Sequence, residues 1–449
     1  MKVSTTRFLT IAFVASVVVS LFSCDGDAID SQALTNKSQV ITSSSIGYIF
    51  KGIFYGEADA SFQQDANDVL AELLGKITTD DEKHHFVKKY PDFYGGAYIT
   101  GQGRLVVFIH GDFEEGIQQV KSYVNDRGII DYVSCKYSFQ ELTDIMNNMN
   151  DRLETLPKEI KQNIVMYYIK DDQNKVIVSL RDNSIHYLDD FQKNVINHPA
   201  IEFTDGSMSY NYNMSIDIEL PQFQTEIQPG GMFFLGFGNG AGRASWAFRA
   251  RKENLITNGM VTVAHAFISN DSVFLYGEYV PTLHEDVYDS LADVSFVRIP
   301  YNSPGTGMQY PPFMYNLTNK IRYYPNAGLD SIPDIYLSKY TSEPGVGTVI
   351  NKRGGTTGHT SGIVISSNYT GYVSYRDNDT IYVKNRMIAS FASDHGDSGG
   401  IVYTFISSSN TRYTVGVLNA FLFNNQTNEY FSFFTKADVA LSVLGLHRY

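Results

Sequence analysis

Two textures divide the chain. From about residue 46 to 225 the apolar positions switch between helical and strand spacing, whereas from about 226 onward short apolar runs alternate with Gly, Asn, Ser and Pro clusters. In the first part Leu142, Ile145, Met149, Leu153 and Leu156 recur at helical spacing behind Ser138, with Glu141 three positions later, which predicts a capped helix that stops at Pro157. Residues 98–100, the Gly101-Gln102-Gly103 turn and residues 105–109 predict a hairpin, and residues 166–169, 171–174 and 176–180 predict a second. Two helix-plus-hairpin units imply an internal duplication within an α+β domain. In the second part residues 232–235, 246–248, 261–266, 273–276, 294–299, 348–351, 362–366, 401–405 and 414–418 read as strands, enough for two packed barrels. Residues 436–445, with Ala437, Ala440, Leu441 and Leu444 on one face, predict a closing helix.

Composition narrows the setting. The 449 residues carry a formal charge of −13, which argues against a nucleic-acid partner, and their 31 Tyr, 29 Phe and 36 Gly suit β-rich domains with tight turns. Lys2 and Arg7 precede an apolar run over 8–21, the pattern of an export signal over residues 1–23. Leu21-Phe22-Ser23-Cys24 resembles a lipoprotein box, so Cys24 is a candidate lipidation site and a possible-tether reading follows for the membrane; residues 24–45 read as a flexible linker. The other cysteine is Cys135, which reads as a small buried residue and leaves the C-terminal half without a disulfide. Without one, exported stability rests on packing or on a high unfolding barrier. His84-His85 reads as a solvated helix end rather than a metal site, and no metal or organic cofactor is implied.

Chemistry concentrates in the second part. Gly396-Asp397-Ser398-Gly399-Gly400 places a serine among glycines, His265 ends Thr262-Val263-Ala264-His265, and Asp293 opens the run Asp293-Val294-Ser295-Phe296-Val297. A serine hydroxyl is a poor nucleophile until a base takes its proton, and an imidazole oriented by a buried carboxylate supplies that base. His265, Asp293 and Ser398 are therefore the candidate triad, and the N–H groups of Gly396 and Ser398 the candidate oxyanion hole. Asp286 and Asp289 compete with Asp293, which is favoured by the apolar run that follows it.

Residues 226–449 resemble the bacterial chymotrypsin-like serine proteases of the streptogrisin and α-lytic type. The marks are the stretches around His265, Asp293 and Ser398, Lys352-Arg353-Gly354-Gly355-Thr356-Thr357-Gly358, and Phe433-Phe434 before the closing helix. Residues 46–225 resemble the pro-region of the same family through Tyr94-Gly95-Gly96-Ala97-Tyr98 and Gly103-Arg104-Leu105-Val106-Val107. The resemblance implies two six-stranded antiparallel barrels behind an α+β pro-domain that assists folding and is removed by self-cleavage near residues 225–231. It implies protein or peptide substrates, with the pro-domain as an inhibitory partner. It also implies that Asp397 is buried and paired, with Lys352 or Arg353 as partner, and that Ala392, Asn419, Ala420, Phe421 and Ser432 wall the substrate pocket. None of these five is charged, so an uncharged, apolar side chain is expected before the cut bond. Two departures stand out: the family's cysteines near the histidine and serine are absent, and Asn419 replaces a serine that hydrogen-bonds the catalytic acid.

Two other classes remain open on the residues alone. A G-x-S-x-G hydrolase needs a histidine after the serine, where only His447 stands, and a helix where residues 401–405 read as strand. A non-catalytic binding module is the third reading.

Overall fold

The structure is a computed structural model that describes residues 38–41, 46–50, 53–206, 208–209, 226–235, 242–252, 258–267, 273–275, 278–280, 282–298, 316–321, 335–374, 380–424, 427 and 429–449. The export run and Cys24 lie outside these residues. Residues 38–41, expected in the linker, instead form β1 (Ser38–Ile41), paired with β2 (Ile46–Phe50), which pairs in turn with β3 (Ile53–Glu57). The β-branched Val40 and Ile41 favour that outcome over coil.

The α+β region repeats one unit twice. First come helix α1 (Gln64–Ile77), the hairpin β4 (Tyr94–Ile99) and β5 (Leu105–Ile109), helix α2 (Phe113–Tyr123), and β6 (Ile130–Ser134), parallel to β5. Then α3 (Phe139–Arg152) and α4 (Lys158–Asn163) precede the hairpin β7 (Ile164–Lys170) and β8 (Lys175–Leu180), helix α5 (Ile185–Asn194), and β9 (Ile201–Asp205), parallel to β8. The expected duplication is thus a helix–hairpin–helix–strand unit, larger than the helix and hairpin legible in sequence. Its caps are local: Ser138 Oγ accepts from Glu141 N at 3.1 Å, and Asp112 Oδ1 accepts from Glu115 N at 3.0 Å. Leu142, Ile145, Met149 and Leu153 are buried, but α3 ends at Arg152 and a 3₁₀ turn over Leu153–Thr155 follows, so Pro157 caps the start of α4 rather than ending α3. His84 sits in a turn, between Asp81 and Asp151, rather than at a helix end. Cys135 is half-buried, and burial pushes its thiol up to about 11, so it is no ready nucleophile.

The second half closes into two barrels. The strands of the first are β10 (Met232–Leu235), β11 (Gly242–Ser245), β12 (Phe248–Lys252), β13 (Asn258–Thr262), β14 (Val273–Leu275), β15 (Glu278–Val280), β16 (Leu283–Tyr288) and β17 (Asp293–Arg298). Trp246 and Ala247 join β11 to β12, and β16 follows β15 two residues later in the chain, so each pair is counted as one strand position in the ring. The antiparallel pairings then run β10, β11/β12, β13, β17, β16/β15, β14 and back to β10, a ring of six. The second barrel holds β18 (Val349–Gly354), β19 (Gly358–Ser374), β20 (Thr380–Ala389), β21 (Ile401–Ile406), β22 (Thr411–Asn424) and β23 (Glu429–Lys436). Its ring runs β19, β18, β21, β22, β23, β20 and back to β19, all antiparallel. The expected all-β fold of two six-stranded barrels behind an α+β domain is what forms. Helix α6 (Ala437–Leu444) follows, burying Ala437, Ala440 and Leu444 as expected, and leaving Leu441 half-buried.

Two strand expectations need correction. The run at 246–248 straddles a break, since Trp246 and Ala247 form the corner between β11 and β12. The run at 261–266 stops at Thr262, and a single 3₁₀ turn over His265–Phe267 follows.

The α+β region docks on the second barrel through main chain. Strand β7 pairs antiparallel with β19 through Tyr168↔Tyr369, Tyr167↔Thr370 and Met166↔Gly371, so one sheet spans both. Nearby, Ile99 N donates to Val346 O at 2.7 Å and Gln63 Nε2 to Gly347 O at 2.9 Å. Gly347 has φ +85°, and a Cβ there would stand 1.9 Å from Ile99 O. Gly347→Ala is expected to lower the thermal midpoint of the full chain and cost more than about 1 kcal/mol in denaturant unfolding; an unchanged midpoint would show that this contact is not part of the folded unit.

Candidate active site

The seam between the barrels pairs His265 with Asp293 and links Ser398 to Asp293 through Asn419. Asp293, the first residue of β17, is fully buried and accepts from both backbone amides that follow Val263: Ala264 N at 3.0 Å and His265 N at 2.9 Å, each on Oδ1. These two bonds explain why β13 ends early, because the carboxylate takes the N–H groups that a continuing strand would have paired. Its other oxygen, Oδ2, lies 2.7 Å from His265 Nδ1, which fixes the ring with Nδ1–H toward the acid and Nε2 outward. The competing acids are engaged elsewhere. Asp286 faces His284 at 2.7 Å, and Asp289 Oδ1 accepts from Leu291 N and Ala292 N to close a turn.

Ser398 belongs to the second barrel but is tied to the first. Its carbonyl accepts from Ser245 N at 2.7 Å, and the Ser245 carbonyl accepts from Thr262 Oγ1 at 2.6 Å, three residues before His265. Ser245 Oγ donates to Gly396 O at 2.7 Å and receives from Gly355 N at 2.8 Å. Ser398 Oγ donates to the Asn419 carbonyl at 3.1 Å.

Asn419 then completes the seam. Its Nδ2 donates to the Asp293 carbonyl at 2.9 Å and lies 3.4 Å from Asp293 Oδ2, while its Oδ1 accepts from Thr435 Oγ1 at 2.7 Å. The Asp293 carbonyl and carboxylate can only accept, so the NH₂ faces them and Oδ1 takes the Thr435 hydroxyl, which settles the amide's orientation. Thr435 was not singled out from the sequence, where a threonine in a β-strand carries no signal of its own.

The Gly396–Gly400 loop is held from beneath. Asp397 is fully buried; it accepts from Thr356 N at 2.8 Å, Thr357 N at 3.0 Å, Thr357 Oγ1 at 2.5 Å, Asp394 N at 3.1 Å and Lys352 Nζ at 3.0 Å. Of the two partners expected, Lys352 is the one; Arg353 Nη1 instead donates to Gly354 O at 2.6 Å. Burial pushes the Asp397 carboxyl up, but the Lys352 charge and the Thr357 hydrogen bonds outweigh it, and its pKa lies below the usual carboxylate value. Burial draws Lys352 below the usual lysine value, with Asp397 opposing. This anchor lets Gly396 adopt φ +97°, where a Cβ would stand 2.5 Å from Thr356 Oγ1. The Gly396 and Ser398 amides donate to no group among the described residues. Two unused donors flanking the Asp397 amide, which itself bonds to Asp394 O, suit a developing oxyanion.

The expected pocket residues divide. Ala392 and Phe421 are buried with Phe423 and Tyr430 in one small apolar cluster, and the Phe421 ring meets His395 edge-on at 5.7 Å. Ala420 is half-buried, and Ser432 Oγ donates to Phe391 O at 2.8 Å. Asn419 is the exception: its side chain faces Asp293 and Thr435, so only its carbonyl belongs beside Ser398. His447 does not serve as an alternative base. Its Nε2 accepts from Arg251 Nε at 2.6 Å on the outer edge of the first barrel, and a strand rather than a helix follows Ser398.

Two protein families match the chain: the Pro-like N-terminal domain over residues 55–131 and the Pro-like C-terminal domain over residues 140–206. The two matches fall on the two repeats of the α+β region, and the pro-region resemblance holds there. No curated protein matches. Among solved structures the chain is similar to Thermobifida fusca protease A, at 20% identity over 50% of this chain and 98% of that one, with a TM-score of 0.36. It is similar to a Nocardiopsis protease, at 22% over 50% and 98%, TM-score 0.37, and to Cellulomonas bogoriensis chymotrypsin, at 19% over 50% and 98%, TM-score 0.35. At these values the likenesses carry no argument of their own.

Lys352→Met strands the Asp397 carboxylate in the interior and is expected to cost about 3–5 kcal/mol. In wild type the depressed Asp397 pKa adds stability that is complete above the ordinary value of 3.8 and drains as the pH falls through the lower folded value. Denaturant midpoints measured from pH 2 to 7 should therefore fall on acidification in wild type and less steeply in Asp397→Asn; equal slopes would contradict the assignment.

Proposed function

We propose that the chain is the zymogen of a serine endopeptidase, with Ser398 as nucleophile, His265 as general base and acid, Asp293 as the orienting carboxylate, and the α+β region as its own pro-region. The observation that carries this is the position of Asn419, which touches both the hydroxyl of Ser398 and the acid that holds His265 Nδ1. In the reaction, His265 Nε2 takes the Ser398 proton as Oγ adds to the scissile carbonyl, and the ring later gives that proton to the departing amine. Asp293 keeps Nδ1 protonated and stabilises the imidazolium. The amides of Gly396 and Ser398 receive the oxyanion, each such donor contributing about 3–4 kcal/mol to the transition state. Water then repeats the sequence on the acyl-enzyme.

Lys2, Arg7 and the apolar run after them support export of this enzyme. The maturation cut falls before Glu226, because Ile227 and Gln228 are buried in the first barrel and the Ile227 carbonyl accepts from Thr318 N. In this reading the cut lies at or before the start of the window near residues 225–231 expected from sequence. The aromatic, uncharged cluster around Phe421 supports a preference for an apolar side chain before the cut bond.

Full-length wild type is expected to hydrolyse casein and to separate into two fragments, and Ser398→Ala to lose at least about 1,000-fold in rate and to stay intact; casein hydrolysis at the wild-type rate by Ser398→Ala overturns the assignment. Thr435→Val frees the Asn419 amide and leaves Asp293 a stronger base. Its kcat should fall about 10-fold with KM unchanged, the acid limb of kcat/KM should move to higher pH, and Thr435→Ser should restore both. A Thr435→Val enzyme with wild-type kcat and pH profile would remove Thr435 from the network.

A further inference from the structure

The second barrel carries a peptide groove remote from Ser398. Ser398 and Asn419 stand at one end of the β21–β22 hairpin, and the groove forms around the turn at the other end, where Phe405 and Arg412 are each seven residues along the chain, or roughly 24 Å, away. Across it lies the stretch that runs from Gly56 and Glu57 at the end of β3 to Ala60, where the backbone leaves the extended region at φ −102° and ψ 10°. The Gly56 carbonyl accepts from Ser361 Oγ at 2.7 Å. Ala58 exchanges a pair of bonds with the Asn351 amide, Ala58 N to Oδ1 at 2.7 Å and Nδ2 to Ala58 O at 2.9 Å. Ala60 N donates to Phe405 O at 2.8 Å. The two acids between these points are read by side chain and main chain. Glu57 accepts a two-point bond from Arg412 Nε and Nη2, each at 2.7 Å, and both side chains are at most 7% exposed. Asp59 accepts from Ser407 N at 3.0 Å and from the Ser407 hydroxyl. The Arg412 guanidinium also lies 4.1 Å over the Phe405 ring and reaches Asn410 Oδ1 at 2.9 Å, so it is set in place for a carboxylate.

Main-chain bonds at alternate residues with carboxylates between them describe recognition of an extended acidic segment. We propose that this face is a binding groove for a Glu-x-Asp strand whose occupant is the chain's own Gly56–Ala60, and that it keeps the pro-region on the second barrel, independently of the Ser398 site, after the chain is cut. The second clause rests on the protease reading given above. A cut before Glu226 severs the connection but leaves these contacts intact, and leaving them exposes a guanidinium that is otherwise neutralised in the interior.

The test uses the full chain. Wild type, Glu57→Gln, Asp59→Asn, Arg412→Gln and the Glu57→Gln/Arg412→Gln pair are allowed to process themselves, and release of the pro-region is followed as the growth of casein-hydrolysing activity on dilution. Release at least 10-fold faster in Glu57→Gln and Arg412→Gln, with the double variant no faster than either, is expected for one shared interaction. In parallel, amide hydrogen exchange is compared in uncut Ser398→Ala with and without Glu57→Gln. Faster exchange at Ala58, Ala60 and Ser407, with the β7–β19 pairing unchanged, is the expected result and needs no catalysis. Exchange and release within twofold of the parent overturn the groove, whereas self-cutting by Ser398→Ala would instead overturn the protease reading and leave the exchange comparison standing.

Discussion

The seam depends on one buried amide. Asn419 reaches from the second barrel into the first, donating to Asp293 while its carbonyl receives the Ser398 hydroxyl. Neither barrel contains the whole proposed site: His265 and Asp293 are supplied by the first, Ser398 and the free amides of Gly396 and Ser398 by the second. A reactive cluster divided this way is only as well placed as the contact between the halves. That contact rests on the buried polar groups of Asn419, Asp293, Thr435, Ser245 and Thr262, each with a partner, and such groups resist displacement because any shift leaves a donor or acceptor unsatisfied in the interior. Ser245 and Thr262 reinforce it from the other side by tying the Ser398 carbonyl to the strand that leads to His265.

The same logic organises the loop beneath the nucleophile. A buried lysine and a buried aspartate would each be costly alone, and the pair is tolerable because five donors converge on Asp397. The gain is conformational. With Asp397 fixed, Gly396 can hold a positive φ that leaves the Gly396 and Ser398 amides free, at a position where a Cβ would meet Thr356 and Arg243.

How much of this could be read in the sequence follows from the range of each interaction. His265, Asp293 and Ser398 stand in short local patterns, and the capped α3 and the two hairpins are set by neighbours a few residues apart. The end of β13 is not legible locally, because β-branched Thr262 and Val263 favour a strand, while the carboxylate that stops it lies about thirty residues later in the chain. The partner of Asp397 was narrowed to Lys352 or Arg353 but not resolved, since both are buried and only the pairing register turns one toward the loop. Asn419 stood out as an unusual residue, yet its alliance with Thr435 depends on β22 and β23 lying side by side. The Glu57–Arg412 pair joins residues 355 positions apart and has no sequence signature at all.

The most direct test is a crystal structure of the enzyme after reaction with a serine-directed phosphonate. The account predicts phosphorus bonded to Ser398 Oγ, its oxygen within hydrogen-bond distance of the Gly396 and Ser398 amides, His265 Nε2 facing the adduct, and the Asn419 amide still on Asp293. A label on another residue, or an adduct at Ser398 with His265 turned away and Asn419 detached from Asp293, would contradict it.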